Sequence, residues 1–239
     1  LNLDKFPKEY RITHCVQGES WIGQLTHLPS NQTIDFAHIY SVWTRKPAEF
    51  SFISDDLPIQ EKIHAQQETE HLLNGLLYSL DCYWMNHPNA SRGALWKTEQ
   101  SLRAARMGFQ TPLSLVTNSP DAVKQFYQQA DTGMALKSLS SPFLGADQVD
   151  YEERSLDRGL RTTLITPEQM DNIEAVKELP CYFQGYIDKA YELRITVIGN
   201  RVFAAKINSQ DNESTRIDFR DFDADVTYEP YSLPSSVAT

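Results

Sequence analysis

Near the end of the chain runs Glu192-Leu-Arg-Ile-Thr-Val-Ile198, then Gly199-Asn200, then Arg201-Val-Phe-Ala-Ala-Lys-Ile-Asn208. Two β-rich runs joined by a glycine–asparagine pair make an antiparallel hairpin with a two-residue loop. That loop sets the register: Val197 faces Val202, Ile195 faces Ala204 and Leu193 faces Lys206. Directly opposed residues share a face. One face is therefore Leu193, Ile195, Val197, Val202 and Ala204, which reads as core; the other carries Glu192, Arg194 and Thr196. A one-residue slip would bring Lys206 opposite Arg194 and spoil the apolar face. Glu192 and Arg194 thus project together from one rigid strand, although such a pair, taken alone, reads as a solvated ion pair of little energetic weight.

Upstream of the hairpin, strands and helices alternate. Cys181–Tyr186, Arg161–Ile165, Met134–Leu139 and Leu113–Thr117 read as strands. Ser119 at N-cap and Pro120 at the first helical position open a helix over 121–129. Thr166-Pro167-Glu168 opens another to about Val176, and a small-residue loop runs from Ser138 to Gly145. Further back, Pro58 opens a long helix whose stripe is Ile59, Ile63, Leu73, Leu76, Leu77 and Leu80. A second helix follows Asn86-His87-Pro88-Asn89 and runs through Lys97 to about Met107, with Gly108 as its terminating glycine. Residues 1–57 read as short extended pieces, Tyr10–Thr13 and Ile39–Trp43 among them, around a turn at Leu28-Pro29-Ser30-Asn31. The fold class is α/β or α+β with mixed sheets.

Composition narrows the function. The 239 residues carry 22 Lys+Arg against 32 Asp+Glu, a net charge of −10. Such a surface repels phosphate backbones, so no nucleic acid partner is expected, though a local basic cleft for a small polyphosphate is compatible with it. No run is long and apolar enough for a membrane helix, and no membrane partner is expected. Three scattered cysteines, Cys15, Cys82 and Cys181, argue for a reducing compartment, hence a cytoplasmic location. Glycine-rich phosphate loops are missing, and the six histidines never fall at metal-ligand spacing. Lys97 and Lys137 differ in kind. Lys137 ends an apolar strand just before Ser138, Ser140, Ser141 and Gly145. A strand-end cation beside a polar loop suits a phosphate clamp, and equally a lysine that snorkels to water.

In order, Trp84-Met85-Asn86-His87-Pro88, Ala94, Lys97, Gly108-Phe109 with Pro112 and Ser114-Leu115, Thr117-Asn118, Lys137, Phe183-Gln184-Gly185-Tyr186-Ile187 with Lys189, Glu192-Leu193-Arg194-Ile195-Thr196-Val197 with Gly199, Ala204-Ala205, Ser209-Gln210 and Asp218-Phe219-Arg220 together resemble the ATP-grasp fold. The resemblance is to the RimK-like branch, and within it to the macrocyclases that mature microviridin-type peptides, the graspetides. It covers nearly the whole chain. It implies a small pre-ATP-grasp domain over residues 1–110, a central ATP-grasp subdomain over 111–185 and the start of a C-terminal subdomain over 186–239.

The resemblance also implies roles. Lys97 and Lys137 would hold nucleotide phosphates. Gln184, Gly185, Tyr186 and Ile187 would form an interdomain hinge whose backbone, at Gly185 and Ile187, meets the adenine edge. Glu192 would sit near the ribose or support a phosphate-binding lysine, and Arg194 and Arg220 would stabilise an acyl phosphate and its breakdown. Gly185 stands where the family has Glu, a change backbone contacts survive, and Phe219 stands where Trp is usual. Magnesium would accompany ATP. The family places its magnesium ligands late, as an Asp and then a Glu-x-Asn, and this sequence stops before them at Ser235-Ser236-Val237-Ala238-Thr239. The chain is accordingly expected to be cut short at both ends. Asp218, Asp221, Asp223 and Asp225 read as a solvated acidic loop, so no metal ligand is assigned.

The implied activity is ATP-dependent ligation of side-chain carboxylates on a ribosomal precursor peptide, forming ester or amide cross-links. The implied partners are that peptide with its leader, for which the hairpin is the candidate surface, and a second copy in a homodimer. Two alternatives stay open: a RimK-like amino acid or peptide ligase with another acceptor, and a degenerate ATP-grasp that binds peptide or nucleotide without turnover.

Overall fold

The computed structural model describes residues 3–44, 50–140, 161–220 and 224–238. The chain divides into two compact units, Leu1–Leu95 and Trp96–Thr239.

The first unit holds β1 (Tyr10–Gln17), β2 (Ser20–His27), β3 (Gln32–Asp35), β4 (Ser41–Trp43), α1 (Ile59–Tyr78), β5 (Tyr83–Met85) and α2 (Pro88–Gly93). β1, β2 and β3 form an antiparallel meander, with Tyr10 opposite His27 and Leu25 opposite Ile34. The second strand is absent from the sequence-level reading because Gly23 interrupts its β-rich character. The structure requires that glycine: a Cβ there would collide with the Thr13 carbonyl and His14. Phe6, Tyr10, Leu25 and Phe36 pack with Leu73 and Leu76 of α1 into one core. The expected stripe on α1 therefore serves only its C-terminal half, since Ile59 and Ile63 are exposed. β4 and β5 pair in parallel.

The second unit begins with α3 (Lys97–Arg106). The single helix expected from Pro88 to Met107 is thus two, because the chain turns extended at Trp96 (φ −77°, ψ 110°). α3 stops as expected at Gly108, whose φ of +86° lets the Phe109 N–H reach the Ala104 carbonyl and the Gly108 N–H reach that of Ala105, both at 3.0 Å.

Next come β6 (Ser114–Thr117), α4 (Pro120–Gln129), β7 (Met134–Lys137), β8 (Thr163–Leu164), α5 (Pro167–Met170) and β9 (Cys181–Gly185). Ser119 caps α4 through the Ala122 N–H. The four strands form an antiparallel sheet in the order β6-β9-β7-β8. Three elements are shorter than the sequence suggests. β7 ends at Lys137, β8 keeps only two residues, and the helix from Thr166 breaks at Asp171-Asn172 into α5 and a 3₁₀ turn over Ile173–Glu178. Asp and Asn compete with helix by local hydrogen bonding, which accounts for the break. Val123 and Phe126 of α4, Met134, Phe183 and the 3₁₀ residues Ile173 and Val176 form the second core, with Leu115 and Leu136 against it. The loop expected to reach Gly145 passes outside the described residues after Ser140, as do Asp221 and Asp223.

The last sheet is β10 (Glu192–Ile198), β11 (Arg201–Ile207) and β12 (Tyr228–Pro230), all antiparallel, followed by the short α6 (Ser235–Ala238). Its register is the expected one: Leu193 opposite Lys206, Ile195 opposite Ala204, Val197 opposite Val202. Gly199 has φ +57° while Asn200 stays at negative φ, the pattern of a II′ turn. The face read as core is not buried. Ile195 is 41% exposed, Val197 63% and Val202 36%. β12 pairs only with Ala205, Lys206 and Ile207, so burial is confined to the base of the hairpin, where Ile207 is 1% exposed.

Candidate active site

Alternation along the four-stranded sheet divides its labour. Leu115, Met134, Leu136 and Phe183 point into the second core. Their neighbours Ser114, Lys137, Tyr182 and Gln184 lie on the opposite face, where register sets Ser114 opposite Gln184 and Lys137 opposite Tyr182. Lys137 Nζ donates to Gln184 Oε1 at 3.0 Å. Gln184 Nε2 in turn donates to Ser114 Oγ at 3.1 Å and to the Tyr182 hydroxyl at 3.0 Å. A neutral amide therefore holds Lys137, and among the described ion pairs no carboxylate joins it.

Lys97, at the first position of α3, reaches the same place from another element. Its ammonium donates to the carbonyl of Ser138, the residue after β7, and at 3.5 Å to that of Ser140. Burial, then the nearby charges of Lys137 and Arg220, push the Lys97 amine below its ordinary range. Cations crowd together at a cost unless an anion joins them, so this donor set suits a polyphosphate.

Arg220 is held by the loop that bears it. Asp218 Oδ1 accepts the Arg220 N–H at 3.2 Å and lies 3.7 Å from its guanidinium, while Asp218 Oδ2 takes the Thr162 N–H at 3.5 Å. The half-buried Lys189 donates to the Ile217 carbonyl at 2.9 Å and pairs with Glu192 at 2.9 Å, tying the start of β10 to this loop. Gly185 donates its N–H to the Leu113 carbonyl, and Tyr186 donates its own to the Gly133 carbonyl, both at 2.8 Å. Thr132 Oγ1 donates to the Tyr186 carbonyl. Ile187, the next residue, is exposed.

The structure thus brings Lys97, Lys137, Gln184 and Arg220 together. Glu192 contacts Lys189 rather than any of these. Arg194 stands exposed on β10 opposite Ala205, and no hydrogen bond or ion pair joins it to the cluster. Tyr182 and Ser114 escape the sequence reading, as does Asp218 as a partner of Arg220. Tyr182 was detectable in principle, two residues before Gln184 and on the same strand face; Ser114 needed the β6–β9 pairing. Among the described residues no group of three or more His, Cys, Asp or Glu side chains is placed to hold a metal ion. Nor is any helix among them long and apolar enough to cross a membrane.

A family profile described as the MvdD pre-ATP grasp domain matches residues 1–92. Comparison with curated proteins finds no match. Among solved structures, the macrocyclase MdnC of Microcystis aeruginosa MRC, bound with precursor peptide MdnA, is 28% identical with a TM-score of 0.81, covering 100% of this chain and 71% of that one. Together with the family profile, this likeness supports a graspetide-type ATP-grasp ligase. A Chryseobacterium gregarium RiPP-associated ATP-grasp ligase, in complex with ADP and a leader and core peptide, is 26% identical to this ligase with a TM-score of 0.84, covering 100% of this chain and 69% of the other. The macrocyclase MdnB, also from Microcystis aeruginosa MRC, is 26% identical with a TM-score of 0.73, covering 99% and 70%. The α/β architecture is accordingly that of an ATP-grasp ligase, an ATP-dependent enzyme.

Proposed function

We propose that the ligase activates side-chain carboxylates of a ribosomally made precursor peptide and joins them to neighbouring hydroxyls or amines as esters or amides. The observation that carries this reading is the convergence of Lys97, Lys137 and Arg220 from separate elements, with the two lysines free of any carboxylate partner among the described ion pairs.

A carboxylate is a poor electrophile, and bound ATP would supply the phosphoryl group that makes it a good one. The residues of this chain bind and orient. Lys97 and Lys137 would neutralise phosphate charge, and Arg220, steadied by Asp218, would face the charge that spreads as the acyl phosphate forms and then releases phosphate. Arg194 is proposed for the same step on the acceptor side. Because the Gly185 amide is committed to Leu113, an adenine edge here would use the Gly185 carbonyl and the Ile187 amide. Glu192 acts through Lys189, which fastens the Arg220 loop. Magnesium is proposed to accompany ATP, with no ligand assigned among the described residues.

The exposed apolar hairpin is the proposed surface for the leader. Phe203→Ser or Val197→Ser should weaken binding of a leader peptide several-fold while ATP affinity holds; unchanged leader affinity in both would remove the hairpin from that role. The reaction itself is tested by ADP release and by loss of one water mass per cross-link, with and without precursor peptide. Arg194→Ala should abolish both signals and leave ATP affinity within about twofold. ATP binding without ADP release under any peptide would instead mark a binding module, and turnover with a free amino acid acceptor would mark a RimK-like ligase.

A further inference from the structure

Two hydroxyls behind Gln184 have no role in the chemistry above, yet they decide which end of its amide faces Lys137. The Ser114 hydroxyl donates to the Pro112 carbonyl at 3.0 Å. Its only proton is thereby committed, so towards Gln184 it can only accept. The Tyr182 hydroxyl lies 3.4 Å from Ser114 Oγ and 3.0 Å from Gln184 Nε2. With its own proton directed at Ser114, it too presents a lone pair to Gln184. Two acceptors at one end force the NH₂ group there and turn Oε1 to the other end, where the donor-only ammonium of Lys137 waits at 3.0 Å. Tyr182 is 3% exposed, so water does not compete for that bond.

We propose that Tyr182 and Ser114 are positioning residues for nucleotide binding: they lock the Gln184 amide so that it aims the Lys137 ammonium without neutralising it. The inference rests on the reading of Lys137 as a phosphate ligand. A carboxylate at position 184 could also fix Lys137, but it would cancel the charge that the phosphate needs. A neutral amide oriented from behind supplies direction alone, and orientation of this kind depends on the supporting shell.

The test is direct binding of ATP, and separately ADP, to the ligase and its variants by titration calorimetry. Tyr182→Phe keeps the ring in its packed site and removes only the hydroxyl. ATP affinity should fall about 3- to 10-fold, with the thermal midpoint lowered by no more than about a few degrees. Ser114→Ala should fall similarly, and Ser114→Thr should restore the native value. Gln184→Glu should weaken binding more than either, and with a steeper dependence on pH. A Lys137→Met background separates positioning from structure: Tyr182→Phe added to it should cost nothing further. Full additivity of the two losses, or native affinity in Tyr182→Phe and Ser114→Ala, overturns the inference while leaving the nucleotide site standing. Failure of the native ligase to bind either nucleotide overturns the nucleotide reading, and this inference with it.

Discussion

Replacing Lys97 and Lys137 together with Met is expected to weaken ATP binding by at least about 100-fold, since each charge-assisted bond to phosphate contributes roughly 1.5–3 kcal/mol. Folding should suffer little. Neither ammonium has a carboxylate partner among the described ion pairs, and the lowered Lys97 pKa means that its charge is tolerated less well in the folded protein than in the unfolded chain. For a lysine lowered on folding, the unfolded state binds more protons between the two pKa values, so stability rises with pH across that window. Loss of the Lys97 charge removes that rise. ATP should have the opposite effect on the native ligase: a phosphate beside Lys97 would favour the ammonium, so binding at alkaline pH should take up protons. Calorimetry in buffers of different ionisation enthalpy measures that uptake. Release of protons, or affinity unchanged in the double variant, would place the phosphates elsewhere.

Local punctuation in the sequence carried a good part of this fold. Gly199-Asn200 set the hairpin register, Ser119-Pro120 opened α4 and Gly108 closed α3, because each has a geometric requirement that its neighbours alone satisfy. What depended on distant partners was less legible. The hairpin face of Ile195, Val197 and Val202 looks like core by alternation, yet nothing local says that β12 pairs only with its base. The stripe on α1 fails at Ile59 and Ile63 for the same reason. Periodicity names the apolar side of an element, and only tertiary pairing says how far along it burial extends.

The site divides in the same way. Lys137 is legible as a strand-end cation beside a polar loop, whereas the roles of Lys97 and Gln184 come from the family resemblance; no spacing could join them, because Lys97 meets the Ser138 carbonyl across 41 residues and Gln184 meets Ser114 across 70. Convergence over such separations is written in strand order, β6-β9-β7, not in any short motif. Glu192 and Arg194, two residues apart on β10, read from the sequence as projecting together and, taken alone, as a solvated ion pair; the structure instead pairs Glu192 with Lys189 and leaves Arg194 exposed. An i, i+2 pair shares a face but need not share a partner.

Phe183→Ala should be the most damaging single change to folding, costing about 3–5 kcal/mol. Phe183 is 1% exposed and sits in the middle of β9, between Leu115 on β6 and Leu136 on β7, under Val123 and Phe126 of α4. Strands on both sides and a helix above leave little room for collapse, so the cavity term should persist in full. The functional consequence follows from strand alternation. Tyr182 and Gln184, the residues on either side of Phe183, project to the opposite face and hold Lys137. A cavity beneath β9 should therefore loosen the seat of Lys137, the proposed phosphate ligand. Chemical denaturation should show the midpoint falling at unchanged slope, and ATP affinity measured well below that midpoint should also fall. Phe183→Leu, which keeps most of the volume, should recover the larger share of both. A Phe183→Ala ligase that keeps native stability would mean that α4 and the sheet are held together by something other than this core.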